Sequence, residues 1–460
     1  MLPVPRAFPA ALTTLLAALA VAPVAGATSS RGAIAAPDGL KATPDVAHGG
    51  GRALVKRSAV KARAAQAPAT DPRFAEQWPL NGDGPMGIAS AWRQTTGGPV
   101  TVAIVDSGAD LGHPDLAPNL WTNPGEIPGN GIDDDGNGYV DDVHGYDFVD
   151  GDGTPQDANG HGTHVAGIVG ARGGNGIGVA GVAWNVRLMI VRVLDGAARG
   201  TTTDVARGIR YAVDNGARIV NLSLAGPSST PDLEDAVRYA QAHGVLIVSA
   251  AGNDGADLAS APTYPAAYGE DNVIGVAATR RDGGLSSVSD YGPGADLAAP
   301  GEAILSTALG GGYEWRTGTS MAAPEVTGAL VLLAAARPDL GAAGLAGALL
   351  GSTRKTGLPV ATGALDVGAA LRQVIPAGAW VEGASAPLSS YASSAAAKKG
   401  GATKKTTKAK AKKAKKKLTA AQKRAQAKKA AARKRAVAKR AAARKRAAAA
   451  RRRAAAKQHR

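Results

Sequence analysis

The stretch GTSMAAP at residues 318–324, centred on Ser320, decides how the rest of this chain is interpreted. It follows a glycine-rich loop at 310–312 and opens an apolar run, 322–336, with the spacing of a buried helix. We therefore expect Ser320 to be exposed at or just before a helix N-terminus, with Pro324 in the first turn. The helix dipole would favour negative charge developing there. A serine at a helix N-terminus is more often only a capping residue, so a catalytic role for Ser320 depends on which other residues the sequence offers as partners.

The net charge of +16 hides two regions of opposite sign. Residues 398–460 contain 28 of the 53 Lys and Arg residues and no Asp or Glu, which leaves 25 basic against 37 acidic residues in the remainder. The body is therefore acidic and the tail strongly basic, and each needs its own explanation. The absence of cysteine excludes disulfides and thiolate metal sites.

Composition divides the chain into five regions. Residues 1–27 have the pattern of a signal peptide, with Arg6, an apolar core and a small-residue cleavage site at 25–27. We therefore expect a secreted protein, with a retained N-terminal anchor as the alternative. The other predicted regions are a short flexible pro-segment or linker at 28–70, a compact domain at 71–375, a linker at 376–397 and a Lys/Arg/Ala-rich tail at 398–460.

Short apolar strands alternate with amphipathic helices through the compact region. Strands are predicted at 100–105, 186–194, 217–224 and 245–251, and helices at 205–215 and 232–243. This alternation favours an α/β fold of three layers, a parallel sheet with helices on both faces. In such folds the reactive groups gather beyond the carboxyl ends of the strands.

Three polar residues lie at or beside predicted strand or helix ends. Asp106 ends the strand in AIVDSG, Asn253 ends SAAGN, and His161 opens HGTHVAG. Alone, Asp106 is an ordinary turn residue and His161 an ordinary core histidine. A zinc pair with His164 is disfavoured because the intervening glutamate of a metalloprotease helix is missing. Together with Ser320 they supply a nucleophile, a base, an orienting carboxylate and an oxyanion donor.

These motifs resemble those of the subtilases, the subtilisin-like serine endopeptidases, which carry their triad in the order Asp, His, Ser. The similarity covers about residues 72–375. It implies that Ser320 is the nucleophile and His161 the general base and then acid. It also implies that Asp106 orients His161, and that Asn253 and the Ser320 N–H form the oxyanion hole. The Asn donor is a known feature of the family and does not follow from the spacing alone.

The resemblance also implies a cleft for an extended peptide. NLSLAGP at 221–227 matches the family's substrate-binding strand, which pairs with the substrate backbone. Thr263 would form the floor of the pocket before the scissile bond. Since no carboxylate is seen at that floor, we expect a broad preference for apolar or medium-sized side chains. The predicted substrate-binding residues are Ser223, Leu224, Ala225, Ala251, Gly252 and Thr263.

GIDDDGNGYVDD at residues 131–142 predicts a calcium site. Oxygen-bearing residues alternate as in the first half of an EF-hand loop, with Gly138 at the turn. An acidic surface turn is the alternative. The expected ligands are Asp133, Asp135, Asn137, the Tyr139 carbonyl, and Asp141 or Asp142.

A second calcium site is implied by the family resemblance alone. Its side-chain ligands would be Asp115, Asn175 and Gln77, and its carbonyl ligands would come from Arg172, Ile177 and Val179. Both Ca²⁺ ions would stabilise the fold by binding only the native state, without a role in the chemistry.

Two features depart from the family pattern. Residues 28–70 are too short, and lack the alternation, for the folded pro-domain that usually accompanies a subtilase. The tail resembles Lys/Ala-rich histone-type tails in composition only, and its charge favours a polyanion such as a cell-wall polymer, anionic lipid or nucleic acid.

Two functions follow from these patterns. The first is a secreted, calcium-stabilised subtilisin-like endopeptidase, a monomer acting on proteins or peptides and retained by its tail at the cell wall or surface. The second is a polyanion-binding module with a vestigial protease body. Removing residues 398–460 separates the two.

Overall fold

The computed structural model describes residues 33–35, 70–81 and 84–381. The helices are α1 Ile88–Trp92, α2 His161–Gly170, α3 Thr202–Asp214, α4 Pro231–Ala242, α5 Thr319–Ala336, α6 Ala342–Gly351 and α7 Val367–Val374. The strands are β1 Ala33–Ala35, β2 Gly97–Asp106, β3 Gly145–Asp147, β4 Asn185–Arg192, β5 Arg199–Thr201, β6 Ile219–Leu222, β7 Leu246–Ala250, β8 Val273–Thr279, β9 Leu297–Pro300, β10 Ile304–Ala308, β11 Gly312–Arg316 and β12 Gly363–Ala364.

Eight strands form one sheet in the order β12-β9-β8-β7-β6-β2-β4-β3. Each strand is parallel to its neighbours. The predicted three-layer α/β fold is confirmed. After β2, the chain first adds β4 on one side of β2 and later adds β6 on the other side. The direction in which strands are added therefore reverses beside β2. Ligands in folds of this kind bind at such a switch point, beyond the carboxyl ends of the strands.

Alternate residues of β2 face two different hydrophobic cores. Val102 and Ile104 pack on the side that holds α2 and α5. Ala103 and Val105 pack on the side that holds α3 and α4. All four side chains are fully buried. Because helices cover both faces, the strand is apolar at every position rather than at every second one.

The two predicted outer helices are present as α3 and α4, but each begins earlier than its apolar pattern. α3 begins at Thr202 because Thr201 caps it, its hydroxyl accepting from the Asp204 N–H at 3.0 Å. α4 begins at Pro231, whose missing N–H costs nothing in the first turn. Capping residues, not the hydrophobic period, therefore set these boundaries.

The structure corrects two details predicted for α5. Ser320 is the second residue of the helix and is fully buried, so it is not exposed before the helix begins. Pro324 is the sixth residue and lies beyond the first turn. A proline there lacks the N–H that would bond to the Ser320 carbonyl. That carbonyl accepts instead from Ser223 Oγ at 2.8 Å.

α5 is the one helix in the described part of the chain that is long and apolar enough to cross a membrane. It is the central core helix, with 89% of its residues buried inside the protein. It also buries Glu325, and this burial raises the pKa of the carboxyl well above its ordinary value.

Two further strand pairs stand outside the large sheet. β10 and β11 form an antiparallel hairpin directly before α5. β1 pairs with β5, also antiparallel. Residues 33–35 therefore form a strand within the segment predicted to be flexible, 28–70. The predicted signal peptide, most of that segment and the basic tail lie outside the described residues.

Candidate active site

Asp106 and His161 are joined by a hydrogen bond in the interior of the protein. His161 Nδ1 lies 2.7 Å from Asp106 Oδ1, and both side chains are buried. Asp106 is the last residue of β2 and His161 the first residue of α2, so the fold fixes both. The same carboxylate oxygen accepts from the Ser107 N–H at 2.7 Å. Because the Asp106 carboxylate accepts a hydrogen bond from Nδ1, the proton of the neutral His161 ring lies on Nδ1, and Nε2 is the nitrogen that can take up a proton.

The start of α2 is held by Asp157, which the sequence did not single out. Its Oδ2 accepts from the Thr163 N–H at 2.9 Å and the Thr163 hydroxyl at 2.6 Å. The Ser107 hydroxyl donates to Asp157 Oδ1 at 3.0 Å and accepts from the Gly162 N–H at 2.9 Å. One buried carboxylate thus ties the end of β2 to the helix that begins with His161.

Ser320 is anchored to the chain just beyond β6. Its Oγ donates to the Ser223 carbonyl at 3.1 Å, while the Ser223 hydroxyl donates to the Ser320 carbonyl. β6 pairs directly with β2, with Asn221 opposite Ile104. Ser223 therefore lies at the same edge of the sheet as Asp106, and it brings Ser320 to that edge.

Asn253 lies against the residue before Ser320. Its Oδ1 accepts from the Thr319 N–H at 2.8 Å and from the Thr319 hydroxyl at 3.1 Å. These two bonds fix the amide, so that its Nδ2 must donate elsewhere. Nδ2 is buried and has no hydrogen-bond partner among the described residues. A buried donor without a partner is costly, and a negatively charged oxygen beside it would satisfy it.

The predicted substrate-binding residues come together around this edge. Beyond Ala225, the Gly226 N–H donates to the Tyr264 carbonyl at 3.1 Å, and the Tyr264 N–H returns a bond of 2.8 Å to Gly226. Thr263, next to Tyr264, donates its hydroxyl to the Ala251 carbonyl. The Leu224 side chain belongs to the core beside α3 and α4, so only its backbone can contact a peptide.

Three carboxylates converge at the acidic loop 131–142, two from the loop and one from a residue before it. Glu126, Asp133 and Asp135 each offer an oxygen that lies within 4.8 Å of the other two. Hard oxygen ligands of this kind suit Ca²⁺. Glu126 was missed because it precedes the motif, and it enters the cluster only when the loop folds back.

The last two predicted ligands of this loop, Asp141 and Asp142, point to different places. The Asp141 carboxylate turns to backbone N–H groups at the start of the loop, Gly129 at 2.7 Å and Gly131 at 3.0 Å. Asp142 is fully buried and accepts from the Asn137 side chain at 3.1 Å and from the Tyr211 hydroxyl at 2.6 Å. Of the two residues, Asp142 is therefore the one that adjoins the carboxylate cluster through Asn137.

Tyr139, the expected carbonyl ligand of the loop, also fixes the loop through its ring. The ring packs edge-on against Tyr146 at 4.6 Å and against Tyr211 at 4.9 Å between centroids. Tyr211 belongs to α3, so the loop packs against one of the helices that cover the sheet.

Five of the six residues predicted for the second calcium site are joined by hydrogen bonds. Asn175 Nδ2 donates to Asp115 Oδ1 at 2.8 Å, and the Val179 N–H donates to Asp115 Oδ2 at 3.1 Å. The Ile177 N–H donates to Asn175 Oδ1 at 2.7 Å, and the Arg172 N–H donates to the Asp115 carbonyl at 2.9 Å. The loop 172–179 is therefore tied to Asp115 through both its carboxylate and its carbonyl.

Gln77, the sixth residue predicted for this site, is bonded to the residue that follows Val179. Its amide exchanges two hydrogen bonds with the backbone of Ala180, at 2.7 and 2.8 Å. Asp71 also reaches this loop, where its carboxylate accepts from the Asn175 N–H at 3.1 Å. Burial, with a smaller contribution from the charge of Asp115, raises the pKa of Asp71. Two carboxylates that repel one another across a shared loop are suited to a divalent cation.

The comparisons with known proteins agree with this geometry. The model of the subtilase family matches residues 97–368, which include Asp106, His161, Asn253 and Ser320. Thermitase from Thermoactinomyces vulgaris is 44% identical over 253 residues, 55% of this chain and 81% of thermitase. The major intracellular serine protease of Bacillus subtilis is 43% identical over 237 residues, 51% of this chain and 68% of that protein. A solved protease structure from Pseudoalteromonas arctica is 32% identical with a TM-score of 0.57, covering 66% of this chain and 99% of that one.

Proposed function

Because this chain belongs to the subtilase family of serine proteases, we propose that it is a secreted, calcium-stabilised endopeptidase that works through Ser320, His161 and Asp106. The observation that most supports this assignment is the buried Nδ2 of Asn253, which lies beside the residue before Ser320 and has no partner among the described residues. A donor held in that state is prepared for an oxyanion.

The proposed reaction is acyl transfer to Ser320 and then to water. Ser320 Oγ turns away from the Ser223 carbonyl and attacks the peptide carbonyl carbon, while His161 Nε2 takes the hydroxyl proton. The oxyanion accepts from Asn253 Nδ2 and from the Ser320 N–H. His161 passes its proton to the leaving amine as the C–N bond breaks. Water then attacks the ester carbonyl while His161 takes its proton, and the bond from the acyl carbon to Ser320 Oγ breaks as His161 returns that proton to Oγ, which releases the acid.

We propose a broad preference for apolar or medium-sized side chains before the scissile bond. The supporting observation is that Thr263, expected at the floor of that pocket, carries a neutral hydroxyl, which donates to the Ala251 carbonyl. The Ser223 to Ala225 backbone would align the peptide by β-addition.

Calcium is proposed at both oxygen-rich loops. One ion would be held by Glu126, Asp133 and Asp135, whose oxygens converge. The other would be held by Asp115 and Asn175, with Asp71 at the same loop. Bound Ca²⁺ supplies positive charge that relieves the repulsion between carboxylates in the native state and has no partner in the unfolded one.

Calcium binding is expected to raise the melting temperature by more at neutral pH than at acid pH. Two sites, each filled at about 100 times its Kd, add roughly 5 kcal/mol, which is roughly 8 °C for a domain of about 300 residues. Since the folded pKa of Asp71 is raised, the metal-free protein loses stability as pH rises through that pKa, and Ca²⁺ removes this loss. The measurement is the melting temperature of calcium-stripped and calcium-loaded protein against pH.

The matched variants for this experiment are Asp71→Asn and Asp133→Asn. The first should remove much of the pH dependence of the calcium effect, and the second should lower calcium binding without changing that dependence. A calcium effect that is absent, or identical in wild type and both variants, would contradict the assignment of these loops.

Secretion and surface retention are proposed from the two ends of the chain. Family membership alone does not decide the compartment, since the Bacillus subtilis relative is named an intracellular protease. The signal-like residues 1–27 support export, and the 28 basic residues at 398–460 support retention on an anionic polymer or lipid.

Deleting residues 398–460 is expected to leave peptide hydrolysis within about twofold of the full chain, because screening limits the reach of exposed charges. Binding to heparin or to anionic vesicles should be lost, and with it the dependence on salt. A chain whose tail is replaced by a neutral linker of equal length is the control. If peptidase activity disappeared with the tail, or were absent from the full chain, the polyanion-binding alternative would be favoured instead.

A further inference from the structure

The loop 252–256, which carries Asn253, is held from two opposite sides. On one side, the Thr319 backbone and hydroxyl bond to the Asn253 amide oxygen, and Thr319 Oγ1 accepts from the Gly252 N–H at 3.2 Å. On the other side lies Asp290, in the connection between β8 and β9. Asp290 is 1% exposed and belongs to none of the motifs that the sequence singled out.

Asp290 bonds to the backbone before and after Asn253. Its Oδ1 accepts from the Asp254 N–H at 2.9 Å and from the Ala256 N–H at 2.8 Å. Its own N–H donates to the Gly252 carbonyl at 2.9 Å. The three bonds leave the Asn253 side chain free to face Thr319 while fixing the backbone from which it projects.

The second oxygen of Asp290 lies directly behind Gly252. A Cβ built on Gly252 would lie 2.0 Å from Asp290 Oδ2, and Gly252 has φ of 121°, so only glycine fits there. Oδ2 is buried and has no hydrogen-bond partner in the part of the chain that the structure describes. Burial raises the pKa of the Asp290 carboxyl above its ordinary value.

We propose that Asp290 is a positioning residue that holds the Asn253 amide in register with Ser320, so that the oxyanion hole exists before substrate binds. The inference rests on the proposed role of Asn253 as oxyanion donor. Its physical basis is that preorganised donors stabilise the transition state only when they already point to where charge develops. A displacement of about 1 Å at such a group can cost about 100-fold in rate.

Two substitutions of Asp290 test this role. Asp290→Asn keeps an oxygen that can accept from both N–H donors, at nearly the same size and shape, so kcat should stay within about threefold. Asp290→Ala removes both acceptors, and kcat should fall roughly 10- to 100-fold with KM nearly unchanged. Asp282→Ala, an exposed carboxylate in the same connection, is the matched control and should change neither constant.

A double-mutant cycle with Asn253→Ala separates positioning from general loss of structure. If Asp290 acts through the Asn253 amide, Asp290→Ala should lower kcat little further once that amide is gone. A peptide aldehyde, which forms a tetrahedral adduct with an oxyanion, should lose affinity for the Asp290→Ala variant. The corresponding peptide acid should bind it as it binds the wild type.

The outcomes distinguish the two claims. If Asn253→Ala left kcat unchanged, the proposed oxyanion role of Asn253 would fail. If Asn253→Ala lowered kcat but Asp290→Ala had no effect, or an equal effect in both backgrounds, the positioning role of Asp290 would be overturned. Should Asp290→Ala not fold, Asp290→Ser retains one acceptor and fills part of the space, and the same cycle applies to it.

Discussion

Replacing Ser320 with alanine is expected to lower kcat for peptide hydrolysis by about 10⁶-fold, a magnitude known from another member of the subtilisin group. The hydroxyl is the only group in the proposed mechanism that forms a covalent bond with the substrate. In the resting structure it makes one hydrogen bond, to the Ser223 carbonyl at 3.1 Å. Its removal should therefore cost only about 1 kcal/mol of stability. The measurement is single-turnover hydrolysis of a chromogenic peptide.

The control for Ser320→Ala is its melting temperature in calcium, which should stay within a few degrees of the wild type. A variant that folds, binds calcium and still hydrolyses peptides within about tenfold of the wild type would rule out the nucleophile proposed here. Ser320→Ala should still hydrolyse peptides faster than water does, because the oxyanion donors and the peptide-binding groups remain in place.

Asp106→Asn is expected to lower kcat by about 10⁴-fold, the size known for this exchange in a serine protease of another fold. The Asp106 carboxylate lies 2.7 Å from His161 Nδ1 and is fully buried. A neutral amide cannot stabilise the imidazolium that forms when His161 takes the serine proton. An amide NH₂ turned towards Nδ1 would also force the wrong tautomer. Since both effects act in the transition state, KM should change little.

The matched control for Asp106→Asn is Asp235→Asn, which removes a carboxylate from the exposed surface of α4. That variant should retain wild-type kinetics. Equal activity of the two variants would contradict an orienting role for Asp106, whereas a parallel loss of folding in Asp106→Asn would show only that the buried carboxylate is structural.

The sequence predicted those parts of the site in which chemistry and local structure coincide. Asp106 and Asn253 follow apolar strands, and parallel strands place their carboxyl ends at one edge. His161 and Ser320 begin helices that are apolar along their length. Each of these four residues stands in a short motif at the end of an apolar element, so the motif is enough to identify it, although distant residues hold Ser320 and Asn253 in place.

Residues brought in by distant contacts could not be predicted in this way. Asp71 and Glu126 reach the proposed calcium loops only through tertiary folding, so the sequence motifs do not include them. Asp290 lies in the connection between β8 and β9 and meets Gly252, which follows β7, only in the folded chain. The burial of Ser320 depends on packing against the Ser223 segment, and local helix rules contain no information about it.

The most direct test of the account is labelling of the purified, calcium-loaded full chain with a fluorophosphonate probe, followed by mass spectrometry of the modified peptide. The account predicts one adduct, on Ser320, that is absent from Ser320→Ala and forms far more slowly in Asp106→Asn. A folded, calcium-loaded protein that carried no label, or carried it on another residue, would contradict the claim that Ser320 is an activated nucleophile.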